Sequence, residues 1–245
     1  MKPEEQVVFH HLKKLYGENV VFEPDGNITP DFAVNSSIGV EVRRLNQYFF
    51  KGEPPIGLEQ ISFPLINAFT KTAEKLNSLY TGISYWVDID YKRSLSTKIH
   101  KTKKNMERDM ELALKNFLDL QVSDFPYEIS VNSEIIFTFY ESNPGNGKLF
   151  PALSSFDSDA GGENISVYVE NIRHCITEKS FIVSKRLDKY HEWWLYLVDN
   201  MEFGLNANEI TKVVKMIDNI GNFNTVVVLS FDGKNILATM SKQKA

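Results

Sequence analysis

Asp31, Glu41 and Arg43 are the residues of this chain whose types and spacing point most directly to chemistry. They lie in Pro30-Asp31-Phe32-Ala33-Val34, a short polar break, and Gly39-Val40-Glu41-Val42-Arg43. Both stretches read as short strands joined by a tight turn. Side chains alternate faces along a strand, so Glu41 and Arg43 share one face while Val40 and Val42 take the other. If the apolar residues of both strands face one core, Asp31 joins the charged pair. Two acids and a cation on one patch of sheet could hold a divalent metal against a phosphate.

The turn tests this reading. A two-residue turn at Ser36-Ser37 would pair Ala33 with Val40 and split the apolar set between two faces. An odd-length loop, or a bulge near Gly39, keeps the set together. We therefore expect a hairpin with three loop residues or one bulge.

A helix read over 171–190 carries the apolar stripe Ile172, Ile176, Val183, Leu187 and Tyr190. Helical spacing puts Lys179 in that stripe. A lysine facing a sheet is costly unless an anion meets it, or unless its stem snorkels to an edge. The functional reading takes Lys179 to the Asp31/Glu41 patch.

With these residues the chain resembles the PD-(D/E)xK nuclease superfamily, whose fold is restriction-endonuclease-like. The matching features are Pro30-Asp31 and, ten positions on, Glu41-Val42-Arg43, with a helix before them and the Trp194–helix–Val227 crossover after. Ile176-Thr177-Glu178-Lys179, Lys185, Lys189-Tyr190 and Trp194-Leu195 also look like the later part of small members. The resemblance covers roughly residues 4–46 and 165–231. It implies an α/β fold: a restriction-endonuclease-like mixed sheet flanked by helices, with an inserted α/β elaboration in the middle of the chain. The expected organisation is one nuclease-like domain over 1–245, with 46–164 as the elaboration.

The resemblance also implies roles. Asp31 and Glu41 would hold Mg²⁺, with Mn²⁺ as a substitute, joined by the Val42 carbonyl and by Glu5 from the first helix. The family's lysine position holds Arg43, which stays protonated and cannot act as a base. Arg43 could clamp a phosphate oxygen, while Lys179 sits where some relatives supply the lysine from a later helix. The implied activity is Mg²⁺-dependent hydrolysis of DNA phosphodiester bonds, endo- or exonucleolytic, with RNA kept open as a second substrate. The alternatives are a catalytically inactive nuclease-fold module that binds nucleic acid or protein, and a purely structural hairpin.

A basic run, Lys92, Arg93, Lys98, Lys101, Lys103 and Lys104, could grip a phosphate backbone, although such a run is also what a solvated helix face looks like. Lys98, Lys101, Lys103 and Lys104 are the nucleic-acid-binding candidates. Lys185, Arg186 and Lys189 form a second, smaller group. Cys175 beside His174 reads as packing, His10-His11 lacks a second ligand pair, and residues 144–148 lack the spacing of a phosphate loop.

The remaining pattern is that of an ordinary globular protein. The chain has 245 residues, 42% hydrophobic and 24% charged, with a formal net charge of −5. No apolar run approaches the roughly 20 residues of a membrane span, and the N-terminus lacks the apolar segment of a secretory signal. One cysteine rules out an intrachain disulfide. Cytoplasmic location, no membrane partner and a homodimer as one compatible assembly follow as expectations. Along the chain we expect a helix over 4–16, strands at 20–22 and 83–91, and helices over 58–79 and 98–120. One or two strands should lie within 126–140, and a polar loop over 141–162. The last third should hold strands at 165–169, 193–198 and 225–229, with helices over 171–190 and 208–220.

Overall fold

The computed structural model describes residues 1–50, 55–93, 95, 99–143, 147–159, 164–201 and 203–242, without the side chains of Phe49, Ile56 and 99–104. It is an α/β structure with mixed sheets flanked by helices. The chain divides into two compact units, Met1–Gln47 with Gly162–Ala245, and Tyr48–Gly161. No helix of the described residues is long and apolar enough to cross a membrane.

In the first unit, helix α1 (Pro3–Tyr16) is followed by strands β1 (Val20–Phe22), β2 (Phe32–Val34) and β3 (Ile38–Leu45). The second unit comprises β4 (Tyr48–Phe49), β5 (Ile56–Gly57), α2 (Glu59–Leu76), β6 (Ser84–Tyr91), α3 (Ile99–Asp119), β7 (Tyr127–Ser130), β8 (Ile135–Ser142) and β9 (Leu153–Asp157). The chain then returns to the first unit with α4 (Asn164–Val183), β10 (Glu192–Asp199), α5 (Ala207–Met216), β11 (Thr225–Leu229) and β12 (Ile236–Ser241).

The first unit is built on a six-stranded sheet of order β1-β2-β3-β10-β11-β12. β3, β10 and β11 run parallel, and β1, β2 and β12 pair antiparallel. The central strands β3, β10 and β11 feed both faces. Val40, Val42, Tyr196, Val198, Val227 and Leu229 pack with Val8 and Leu12 of α1. Trp193, Leu195, Leu197, Val226 and Val228 pack with Ile172, Cys175, Ile176 and Val183 of α4 and with Val213 of α5. This two-sided burial explains the unbroken apolar run of β10.

The hairpin has the odd loop that the pattern demands. Phe32 pairs with Val40, Ala33 with Gly39 and Val34 with Ile38, leaving Asn35, Ser36 and Ser37 as the loop. Asn35 and Ser36 supply the left-handed turn at φ 50° and 56°. Gly39 is not bulged. It is small because an added Cβ would lie 2.9 Å from the Trp193 ring.

Several expectations need correction. Residues 165–169 are not a strand but the opening turns of α4, because Ile165, Tyr168, Val169 and Ile172 recur at helical spacing and are buried. Asn171 does not break that helix, since its amide donates to Val167 O at 2.7 Å. The stripe ends at Val183: Leu187 is exposed, in a 3₁₀ segment where Arg186 leaves helical geometry. Within 141–162, β9 forms by pairing parallel to β6, with Ser154 bonding Asp88. β12 has no counterpart in the sequence reading; it closes the sheet against β11.

The second unit has a four-stranded sheet, β7-β8-β6-β9, whose core includes Phe69, Phe117, Phe137 and Phe139. Lys101, Lys103 and Lys104 lie on α3, with side chains outside the described set, and Lys98 lies outside the described residues.

Candidate functional site

β2 pairs with β3 only as far as Phe32 and Val40, so among the described residues the edge of β3 beyond that point has no strand neighbour on that side. Asp31 fills the gap: its Oδ2 accepts the Val42 N–H at 2.7 Å. In an extended strand the N–H and C=O of one residue turn to the same edge, so the Val42 carbonyl opens beside Asp31 as well.

Glu41 points from the middle of β3 to the α4 face, where Lys179 arrives one turn before Val183. Lys179 Nζ lies 2.6 Å from Glu41 Oε2 and 3.8 Å from Asp31 Oδ2. The side chains are 2% exposed for Glu41, 13% for Lys179 and 24% for Asp31. Three separate elements thus bring two carboxylates and an ammonium together. The other Glu41 oxygen, Oε1, is buried and accepts no hydrogen bond among the described residues.

Burial pushes both carboxyls above their ordinary range. For Asp31 the Lys179 ammonium and the Val42 N–H oppose that rise, and the charge of Glu5 adds to it. For Glu41 Lys179 again opposes, and Asp31 adds. Even with Lys179 present, the pair holds more negative charge than its surroundings favour.

Glu5 is buried near this pair but already committed. It accepts the Lys2 backbone N–H at 2.7 Å and pairs with Lys2 Nζ at 3.1 Å, closing the start of α1 as a capping box. Arg43 shares the Glu41 face, yet it turns to α4 and forms an ion pair with Glu178 at 2.9 Å. Cys175 is buried, and burial pushes its thiol up to about 12, which suits packing rather than attack.

Two residues of this region were given no role by the sequence reading. Glu178, adjacent to Lys179, anchors Arg43. Asp25 pairs with Lys189, lies 3.9 Å from Arg186 and meets the Tyr190 hydroxyl at 3.4 Å. Arg186 also donates to Thr29 O at 3.3 Å, tying the segment after α4 to the loop that leads into Asp31. The cluster of Arg186 and Lys189 was the available signal, since a cation group so close to the stripe needs anions.

No group of three or more His, Cys, Asp or Glu side chains among the described residues is arranged to hold a metal. The donor set is two carboxylates and a backbone carbonyl. That suits Mg²⁺, which commonly takes one or two carboxylates and keeps several waters, better than a cation needing an all-protein cage. The buried, unbonded Oε1 of Glu41 and the surplus negative charge fit the same ion.

Comparison of the chain with protein-family models, curated proteins and solved structures returns no match.

Proposed function

We propose that the first unit is a Mg²⁺-dependent nuclease of restriction-endonuclease-like type, hydrolysing phosphodiester bonds of DNA. The observation that carries this reading is the single Lys179 ammonium held against both Asp31 and Glu41 from a third element. Asp31, Glu41 and the Val42 carbonyl would hold the metal, which Mn²⁺ could replace. When bound, the ion would supply Lewis acidity at the scissile phosphate and lower the pKa of a water.

The chain's own groups do the rest. The Val42 N–H fixes the Asp31 carboxylate in orientation, and burial under α4 keeps bulk water from Glu41. Lys179 balances charge between the carboxylates and is the group able to orient an attacking water or meet charge building on phosphate. Arg43 pairs with Glu178, so clamping a phosphate oxygen would compete with that pair.

A second reading has its own observation. Lys179 already neutralises Glu41 and Lys2 already occupies Glu5, as expected of an internal ion cluster in a non-catalytic nucleic-acid-binding or interaction module. Incubating plasmid and linear DNA with Mg²⁺ or Mn²⁺ separates the two. Cleavage that disappears in Asp31→Ala and Lys179→Ala supports hydrolysis. Undiminished cleavage in Asp31→Ala rules out the proposed metal site.

A further inference from the structure

We propose that the open face of the second unit's four-stranded sheet docks a basic, arginine-bearing segment of a partner protein. Guanidinium groups stack on Trp86, Tyr140 and Phe156 and meet the carboxylates of Asp88, Asp90 and Glu128. This surface belongs to the second unit and does not depend on the hydrolysis proposed for the first. Strand periodicity fixes the face. Val87 and Ile89 of β6, with Phe137 and Phe139 of β8, turn to the core built with Phe69 of α2 and Phe117 of α3. Their alternate neighbours turn the other way. Register then sets those neighbours in rows. Trp86 stands opposite Tyr140. Glu128 and Asp88 flank Thr138 in the next row, and Asp90 stands beside Phe156 in the one after it. Aromatic rings therefore lie at both ends of a group of acids.

Trp86 is 54% exposed, Phe156 51% and Tyr140 36%. Large apolar groups gathered on one exposed face mark an interaction surface, and the charge between them selects the partner. Asp88 accepts from the Ser154 hydroxyl, and none of the three acids forms an ion pair among the described residues. Burial, and then the charges of Asp88 and Glu128, push the Asp90 carboxyl up, with no cation opposing them. Desolvation, followed by Asp88 and the other two acids, raises the Tyr140 hydroxyl in the same way. Such uncompensated negative charge repels a nucleic acid and attracts a cation. Arginine suits both parts of the surface, because its planar guanidinium stacks on aromatic rings and forks onto carboxylates. In an extended segment every second side chain lies on one face, which matches the two-residue spacing of Trp86, Asp88 and Asp90.

The test measures, by fluorescence anisotropy with the full chain, binding of a short labelled peptide of alternating Arg and Ser. A peptide of alternating Glu and Ser is the control. Tighter binding of the Arg peptide, weakened about tenfold in Trp86→Ala and in Asp90→Asn, is the expected result. Phe156→Ala, on a different strand, should weaken it too and serves if Trp86→Ala does not fold. Asp218→Asn removes the same charge at an exposed position of the first unit, and its affinity should match that of wild type. Wild-type affinity in both aromatic variants overturns the surface. Equal losses in Asp218→Asn and Asp90→Asn, which general attraction to an acidic protein would give, overturn it too, as does equal binding of the two peptides.

Discussion

Lys179 donates to Glu41 at 2.6 Å across a sequence separation of 138 residues. The contact joins the middle of a central strand to a helix that the chain reaches only after passing through the whole second unit. Because Glu41 is buried and Lys179 largely so, the pair should matter more to stability than an exposed ion pair would.

Lys179→Met should therefore lose about 3 kcal/mol near pH 8, since two buried carboxyls then face each other without a counter-ion. The native carboxyl pKa values rise further in this variant, so folding favours the protonated acids and the loss shrinks as pH falls. Urea melts at pH 5 and pH 8 check this. Equal losses at both would mean that Lys179 acts through the packing of its stem alone.

Asp31→Asn should behave in the opposite sense. The Asp31 carboxyl is raised in the fold by burial, so the native state binds its proton more tightly than the unfolded chain does. Its charge costs stability as pH rises through and beyond the carboxylate range, and costs nothing where both states are protonated. The asparagine oxygen can still accept from Val42. Its Tm relative to wild type should thus climb from pH 4 to pH 8 while cleavage vanishes. A difference that falls with pH would contradict the raised pKa.

Metal linkage gives a readout without turnover. Mg²⁺ at about a hundred times its Kd should stabilise wild type by about 2.7 kcal/mol, and Asp31→Asn and Glu41→Gln should lose that gain. Glu5→Gln should keep it while losing about 1 kcal/mol of cap stability, because Glu5 closes α1 onto Lys2. A Mg²⁺-dependent Tm shift that depends on Glu5 would place it in the ligand set.

Gly39→Ala probes the hairpin that carries both acids. The new methyl would meet a fully buried Trp193 ring at 2.9 Å, which should cost about 2 kcal/mol as overpacking. Trp193→Phe, which makes room, should recover part of the loss in the double variant. Additive losses would place the strain elsewhere.

What the sequence disclosed follows from which forces act locally. The parity of the hairpin loop was legible because the apolar positions of 32–42 are consistent with one register, and a lysine interrupting a helical stripe was legible at Lys179 for the same reason. The start of α4 was not, since Ile165, Val167 and Val169 alternate like a strand, and most of the helical stripe they belong to (Ile172, Cys175, Ile176) lies beyond Asn171. β9 was hidden because Ser154 and Ser155 gain their place from β6 rather than from their own propensity. Arg43 and Glu5 each pair with a nearby group of opposite charge, Glu178 and Lys2. Spacing alone does not disclose such competition.

The acids and the lysine sit on opposite sides of the intervening unit in the chain, residues 31 and 41 before it and 179 after. A ribosome must finish the entire second unit and most of α4 before Lys179 can close onto Asp31 and Glu41. Any truncation, proteolytic nick or split of the gene that parts the two halves leaves carboxylates without their counter-charge. Two co-expressed fragments divided within the second unit would need to find one another before either could resemble the intact centre, which makes fragment complementation a direct readout of the assembled site.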